Sequence, residues 1–266
     1  MSDLEALINE KTKIVCFTLS SNLVGTYNDM VTIAGYAHAV GALVVADGVS
    51  YAPHVIANAP ELGVDFYVYS TYKTFGPHQS VLWGAPKALE QVEPQGHFFN
   101  ENEPRYRLNP TGPQHAEIAA MAGITDYVDA LYEHHFTESV DDQHTRATRV
   151  FKLVAEHEAE LANVLLNSLE RQPRYSFVRA RSGKTGWANV NPISFHARAM
   201  PSAHIAQRLA EYGIGVGAGD FYAARCVEAL GMDPNDGVVR VSMVHYNTRA
   251  EVERLVESLD HILSGP

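Results

Sequence analysis

Residues 65–84 read DFYVYSTYKTFGPHQSVLWG. Asp65 to Tyr69 and Ser80 to Trp83 are short apolar runs of the aromatic and β-branched kind that suits strands, and a turn separates them. The turn carries Lys73 among aromatic residues, just ahead of Gly76-Pro77, a pair that interrupts regular structure. On composition alone a single Lys or Asp is more often a solvated surface residue, and GPH more often a plain turn. The alternative is chemical. An apolar wall and neighbouring cations lower a lysine's pKa, and the neutral amine forms a Schiff base with a carbonyl.

Upstream, ALVVAD (residues 42–47) is a continuous apolar run that ends in an acid, as in a parallel sheet covered by helices. Before it, Val31, Ile33, Ala34, Ala37 and Val40 recur every three to four residues over Asp29 to Val40, which predicts a helix capped at Gly41. With a strand at Ile14 to Leu19, the order strand, helix, strand is a βαβ unit. Ligands of open α/β sheets bind outside the C-terminal ends of the strands. Asp47, ending one strand, and Lys73, following the next, can therefore face one ligand, with Ser70, Thr71 and the turn backbone as donors to a phosphate.

Residues 92–112 are a polar, proline-containing loop, long enough to serve a site or an interface. A helical pattern covers 113–132, and the polar stretch EHHFTESVDDQH (133–144) follows. It predicts a boundary between domains 1–135 and 136–266. The second domain reads as helix 145–170, strands 175–180 and 190–197, helix 202–212, strands 214–217 and 238–243, and helix 248–263. The 266 residues carry a net charge of −11 and two cysteines. These values argue against a nucleic-acid or anionic-membrane surface, and against a disulfide framework. With no run of the ~20 apolar residues needed to span a bilayer and no secretion signal, a cytoplasmic location is expected. His134, His135 and His144 lack ligand spacing, so no metal is expected.

Five stretches occur in family order along the chain: SSNLVGT (20–26), ADGVSYAPH (46–54), LGVDFYVYSTYKTFGPH (62–78), GIGVGAGDFYA (213–223) and VVRVSMVHYNTRAEVERLVESL (238–259). Together they resemble the class V aminotransferase and cysteine desulfurase-like family of fold-type I pyridoxal-phosphate enzymes. The resemblance implies an α/β fold: a partial pyridoxal-phosphate-dependent transferase large domain (mostly parallel sheet, three-layer αβα) followed by a small α+β domain. It implies pyridoxal 5'-phosphate as cofactor, a small amino-acid substrate and a homodimer. Lys73 matches the catalytic lysine that forms the cofactor's aldimine and shuttles the α-proton. Asp47 matches the acid paired with the pyridine nitrogen, and Ser70 a phosphate ligand. Tyr72 stands where a histidine is frequent. Asn22 lies in the loop that approaches cofactor and substrate carboxylate. Arg240 matches the arginine that grips that carboxylate, a task suited to the guanidinium fork. Thr111, in NPTGP, lies near where the family's Gly-Thr pair reaches the partner subunit's phosphate, here in reverse order.

Three departures qualify the resemblance. Counting back from Asp47, the chain reads as lacking the family's N-terminal third, which carries the glycine-rich phosphate turn and the ring-stacking aromatic. Ser50 stands where histidine or glutamine usually contacts the cofactor's phenolic oxygen. The loop that holds a desulfurase's cysteine reads GAGDFYAARC, with Cys226 in a predicted helix beyond it and Cys16 in a predicted strand; free cysteines are commonly buried and inert. The leading expectation is an enzyme acting on an amino acid through Lys73. The alternatives are a cysteine desulfurase-like activity, or a truncated, catalytically inactive structural or binding protein. Transaminase, lyase and epimerase outcomes are not separated by these residues.

Overall fold

The computed structural model describes residues 2–109, 112–139, 142–178 and 192–264. Two compact units divide it: Met1–Ser20 with Asn28–Phe151, and Ser21–Tyr27 with Lys152–Pro266. In the first unit the elements run α1 (Ser2–Leu7), β1 (Ile14–Thr18), α2 (Met30–Ala39), β2 (Leu43–Asp47), α3 (Ala59–Leu62), β3 (Phe66–Ser70), β4 (Ser80–Gly84), α4 (Pro86–Leu89), α5 (His115–Ala120) and α6 (Ala122–His135). The helix α7 (Gln143–Glu170) contributes to both units.

The cap of α2 is built from local sequence. The Asp29 carboxylate accepts from Thr32 N at 3.1 Å and from Thr32 Oγ1 at 2.7 Å, satisfying a free amide of the first turn. Ile33, Ala34 and Ala37 form its buried face. The chain then returns directly into β2, whose Val44 and Ala46 are fully buried. β2 pairs in parallel with β1 on one side and β3 on the other.

Two of the three strand pairings in this unit are parallel, and the edge pairing, β3 with β4, is not. Its sheet is mixed, in the order β1-β2-β3-β4, and β4 runs antiparallel to β3 with Phe66 opposite Gly84 and Ser70 opposite Ser80. The physical reason is the link. Thr71 to Gln79 is shorter than the dozen or so residues a parallel crossover needs, so the chain folds back as a hairpin-like pair.

The second unit contains the rest of α7, then β5 (Tyr175–Val178), β6 (Ile193–Ala197), α8 (Ser202–Glu211), β7 (Gly217–Gly219), α9 (Ala224–Ala229), β8 (Val238–Val241) and α10 (Arg249–Ser264). Its sheet is antiparallel throughout, in the order β5-β6-β8-β7. Leu161, Leu165 and Leu169 of α7 share a core with Ile205 and Leu209 of α8 and with Val252, Leu255, Leu259 and Ile262 of α10, closed by Phe195 and Val239 of the sheet. These positions repeat at three and four residues, the spacing of a single buried helix face. The inserted segment Ser21–Tyr27 brings Leu23 and Val24 against Val227 and Val238 of the same unit. The Ser194 hydroxyl donates to Leu23 O at 2.6 Å and holds the segment there. Among the described residues, no helix is long and apolar enough to cross a membrane.

Candidate active site

Asp47 is the last residue of β2, paired with Thr18 on β1 and Val68 on β3. Because the three strands are parallel, Ser70 and the 3-10 turn Thr71–Thr74, which carries Lys73, continue beyond the same sheet end as Asp47. The Asp47 side chain is exposed, and its Oδ1 accepts from Val49 N at 2.8 Å, which orients the carboxylate. Ser50 follows in the turn after β2, where Tyr51 N donates to Gly48 O at 2.9 Å.

Gly48 was not singled out by sequence reasoning, and here it is a steric requirement. A Cβ at this position would lie 2.4 Å from the Tyr67 hydroxyl and from its ring carbon Cε2. Tyr67 is only 6% exposed, and its hydroxyl has no hydrogen-bond partner among the described residues. Burial, reinforced by Tyr51, Tyr69 and Asp47, holds that hydroxyl protonated well above the usual tyrosine range. The signal that would have found Gly48 is glycine directly after a strand-ending acid, a place where another group approaches the backbone closely.

The turn carrying Lys73 is stabilised from within. Thr71 is fully buried, and its hydroxyl lies 2.6 Å from Pro77 O and 3.0 Å from Gln79 O. Thr74 Oγ1 donates to Thr71 O at 3.0 Å, and Gly76 N donates to the same carbonyl at 2.9 Å. Thr71 is thus a brace of the turn rather than a donor to a phosphate. Replacing it by valine is expected to cost about 1–3 kcal/mol in urea unfolding, since the buried hydroxyl's bonds to the half-buried carbonyls of Pro77 and Gln79 are lost. Tyr72 is exposed and stacks on His78, ring centroids 4.6 Å apart. Lys73 itself is half-buried.

In the second unit, Arg240 lies on β8, opposite Ser194 on β6 and Gly217 on β7. Its Nη1 donates to Asn22 O at 3.1 Å, so these two predicted residues meet. The Asn22 side chain donates to Phe221 O at 2.9 Å. Burial pulls the Arg240 pKa down from its usual value. Burial likewise pushes the Cys226 thiol up, away from the thiolate form. Thr111 lies outside the described residues.

The donor set suits pyridoxal phosphate. It offers a carboxylate for a protonated ring nitrogen, an amine for the aldehyde carbon and a serine hydroxyl for the phosphate. The side-chain-free Gly48 and the orphaned Tyr67 hydroxyl adjoin Asp47.

Comparison with known proteins places this arrangement. The family model described as Aminotransferase class-V matches residues 1–255. The match is continuous along nearly the whole chain. The large mixed-sheet unit and the small antiparallel-sheet unit are therefore the family's α/β architecture over nearly the whole chain, which corrects the expectation of a partial large domain. The aminotransferase-like protein FGM3 of Gibberella zeae is 33% identical over 264 residues, 98% of this chain and 61% of that protein. A probable cysteine desulfurase of Pseudomonas putida is 30% identical, over 96% of this chain and 59% of its own length. The apo cysteine desulfurase of Thermococcus onnurineus superposes with a TM-score of 0.81 at 20% identity, covering 100% of this chain and 63% of that one, a likeness of fold. The chain thus spans about three-fifths of the length of the curated relatives it matches.

Proposed function

The chain belongs to the aminotransferase class-V family, and from that premise we propose that it is a pyridoxal-phosphate-dependent enzyme acting on an amino acid, of the cysteine desulfurase-like branch. The observation that carries the reading is the strand-end arrangement of the first unit. β2 and β3 run parallel, and one end of the pair bears the Asp47 carboxylate, Ser70 and the turn of Lys73. Curated relatives named as cysteine desulfurases support the branch.

When bound, pyridoxal phosphate supplies an electron sink for the pair released at the substrate Cα. The protein's part is to bind, orient and move protons. Lys73 holds the cofactor's aldehyde carbon, then removes and returns the Cα proton. Asp47, oriented by the Val49 amide, keeps the proton on the ring nitrogen. Ser70 donates to the phosphate, Tyr72 and Ser50 line the cofactor, and Arg240 with Asn22 receives the substrate carboxylate. The homodimer implied by the family resemblance and the cytoplasmic location expected from the sequence belong to the same proposal.

A second reading, amino-group transfer, is favoured by the environment of Cys226. Cys226 lies in α9 and burial holds it protonated, so it is a poor sulfur acceptor. The test is direct. Purified protein titrated with pyridoxal phosphate is expected to gain a saturable near-visible absorption band, and failure to do so sinks the proposal. With the band present, L-cysteine supplied with dithiothreitol as acceptor and reductant should give alanine and sulfide, the dithiol ending as its disulfide; keto-acid release from an amino acid decides for transfer instead.

A further inference from the structure

We propose that Phe221 is the positioning residue of Arg240, holding the guanidinium in the orientation that receives a planar carboxylate. The inference rests on the assignment of Arg240 to the substrate carboxylate made above. The Arg240 guanidinium carbon lies 3.8 Å from the centroid of the Phe221 ring, a close face-on stack. The ring is also constrained at Cζ and Cε1. Gly217 is the β7 partner of Arg240, and a Cβ on it would lie 2.7 Å from Phe221 Cζ. The ring therefore packs against both the cation and a bare strand glycine.

Placing the ring there strains the backbone. Phe221 has φ 51° and Tyr222 φ 63°, left-handed values that bulky residues seldom adopt. Local bonds support them: Tyr222 N donates to Asp220 Oδ1 at 3.3 Å and Ala223 N to Asp220 O at 2.9 Å. Asn22 closes the arrangement. Its side chain donates to the strained residue's carbonyl, Phe221 O, while its own carbonyl accepts from Arg240 Nη1. The guanidinium is thus fixed on one face by the ring and at one amino group by Asn22. Its Nε is buried without a hydrogen-bond partner among the described residues. A donor left in that state calls for an acceptor, and a carboxylate is the acceptor that fits a guanidinium edge. A cation whose rotamer is already fixed binds such an anion without first losing side-chain freedom.

The experiment uses the full chain with pyridoxal phosphate, labelled with 15N-arginine, and L-alanine as the carboxylate probe. The Nε–H resonance of Arg240, identified by its loss in Arg240→Lys, should lie upfield of the other arginines through the ring current of Phe221. Phe221→Leu keeps apolar bulk but removes the π face; it should move that resonance downfield and weaken L-alanine binding about tenfold. Phe221→Tyr should retain both properties. Gly217→Ala, which displaces the ring without altering Phe221 or Arg240, should reproduce Phe221→Leu and decides the matter if that variant does not fold. An Arg240 resonance unshifted in the wild type, or L-alanine affinity unchanged in both ring-displacing variants while Arg240→Lys loses it, overturns the role of Phe221. Unchanged affinity in Arg240→Lys instead removes the carboxylate assignment itself.

Discussion

Lys73→Ala is expected to abolish the near-visible band that the protein gains with pyridoxal phosphate, and to lower turnover of an amino acid by at least about 1,000-fold. The argument begins with the turn. Thr71 and Thr74 brace it through hydrogen bonds to Pro77 O, Gln79 O and Thr71 O, none of which involves the lysine side chain. These braces survive removal of the Lys73 amine, so the variant is expected to fold, which circular dichroism checks. The chemistry has no such redundancy. The proposal assigns Lys73 both the attachment of the cofactor and the proton at the substrate Cα, and a positioned acid–base group alone contributes on the order of 100- to 10,000-fold. Lys73→Arg is the informative companion, because it keeps the positive charge but not a nucleophilic amine. It should lose the band as completely as alanine does. A band that survives both substitutions would mean that the cofactor reacts elsewhere on the chain, and the assignment of Lys73 would fall.

The parts of this molecule that are legible in its sequence are those fixed by residues close together in the chain. ALVVAD predicts a strand flanked on both sides, and β2 is paired in parallel with β1 and β3. The apolar spacing of 29–40 predicts α2, and Ile33, Ala34 and Ala37 are its buried face. Arg240 is expected on a strand and lies on β8. What the sequence conceals depends on contacts across the fold. Thr71 looks like a phosphate donor because it follows a strand, yet its hydroxyl is taken by Pro77 and Gln79, which only the reversal into β4 brings within reach. That reversal also adds the one antiparallel edge to a sheet whose other pairings are parallel. The fit of Gly48 to Tyr67 depends on parallel register between β2 and β3, which no local pattern states. The left-handed backbone at Phe221 is harder still to foresee. Such a conformation ordinarily announces itself through glycine or asparagine, and here the Phe221 carbonyl is held by Asn22, far away in sequence.

Gly237→Ala is expected to destabilise the second unit by about 3 kcal/mol, a large fraction of the roughly 5–15 kcal/mol that holds a typical domain folded. Two terms add. Gly237 has φ 62°, and a left-handed conformation costs an L-residue roughly 1–2 kcal/mol. The second term is steric. A Cβ at Gly237 would lie 2.1 Å from the carbonyl carbon of Gly219 and 2.2 Å from its oxygen, backbone atoms that no rotamer change can move aside. Forcing them apart costs about 1–3 kcal/mol by analogy with overpacked cores. Retreat of the loop is also resisted, because Gly237 N donates to Asp233 O at 2.9 Å and the neighbouring Asp236 accepts from Ser202 N, at the start of α8, at 2.8 Å. The strain therefore falls on the β7–β8 ladder, where Gly219 pairs with Val238 and Gly217 with Arg240. Gly213→Ala separates the two terms. Gly213 has φ 70° but no atom within 4 Å of an added Cβ, so it should show the backbone cost alone, about 1–2 kcal/mol. Urea midpoints followed by circular dichroism compare the variants directly. Equal losses in the two would mean that Gly219 does not approach Gly237 this closely. A larger loss in Gly237→Ala, with the Arg240 Nε–H resonance moved off its wild-type position, would show that the same ladder sets both the fold of this unit and the aim of its arginine.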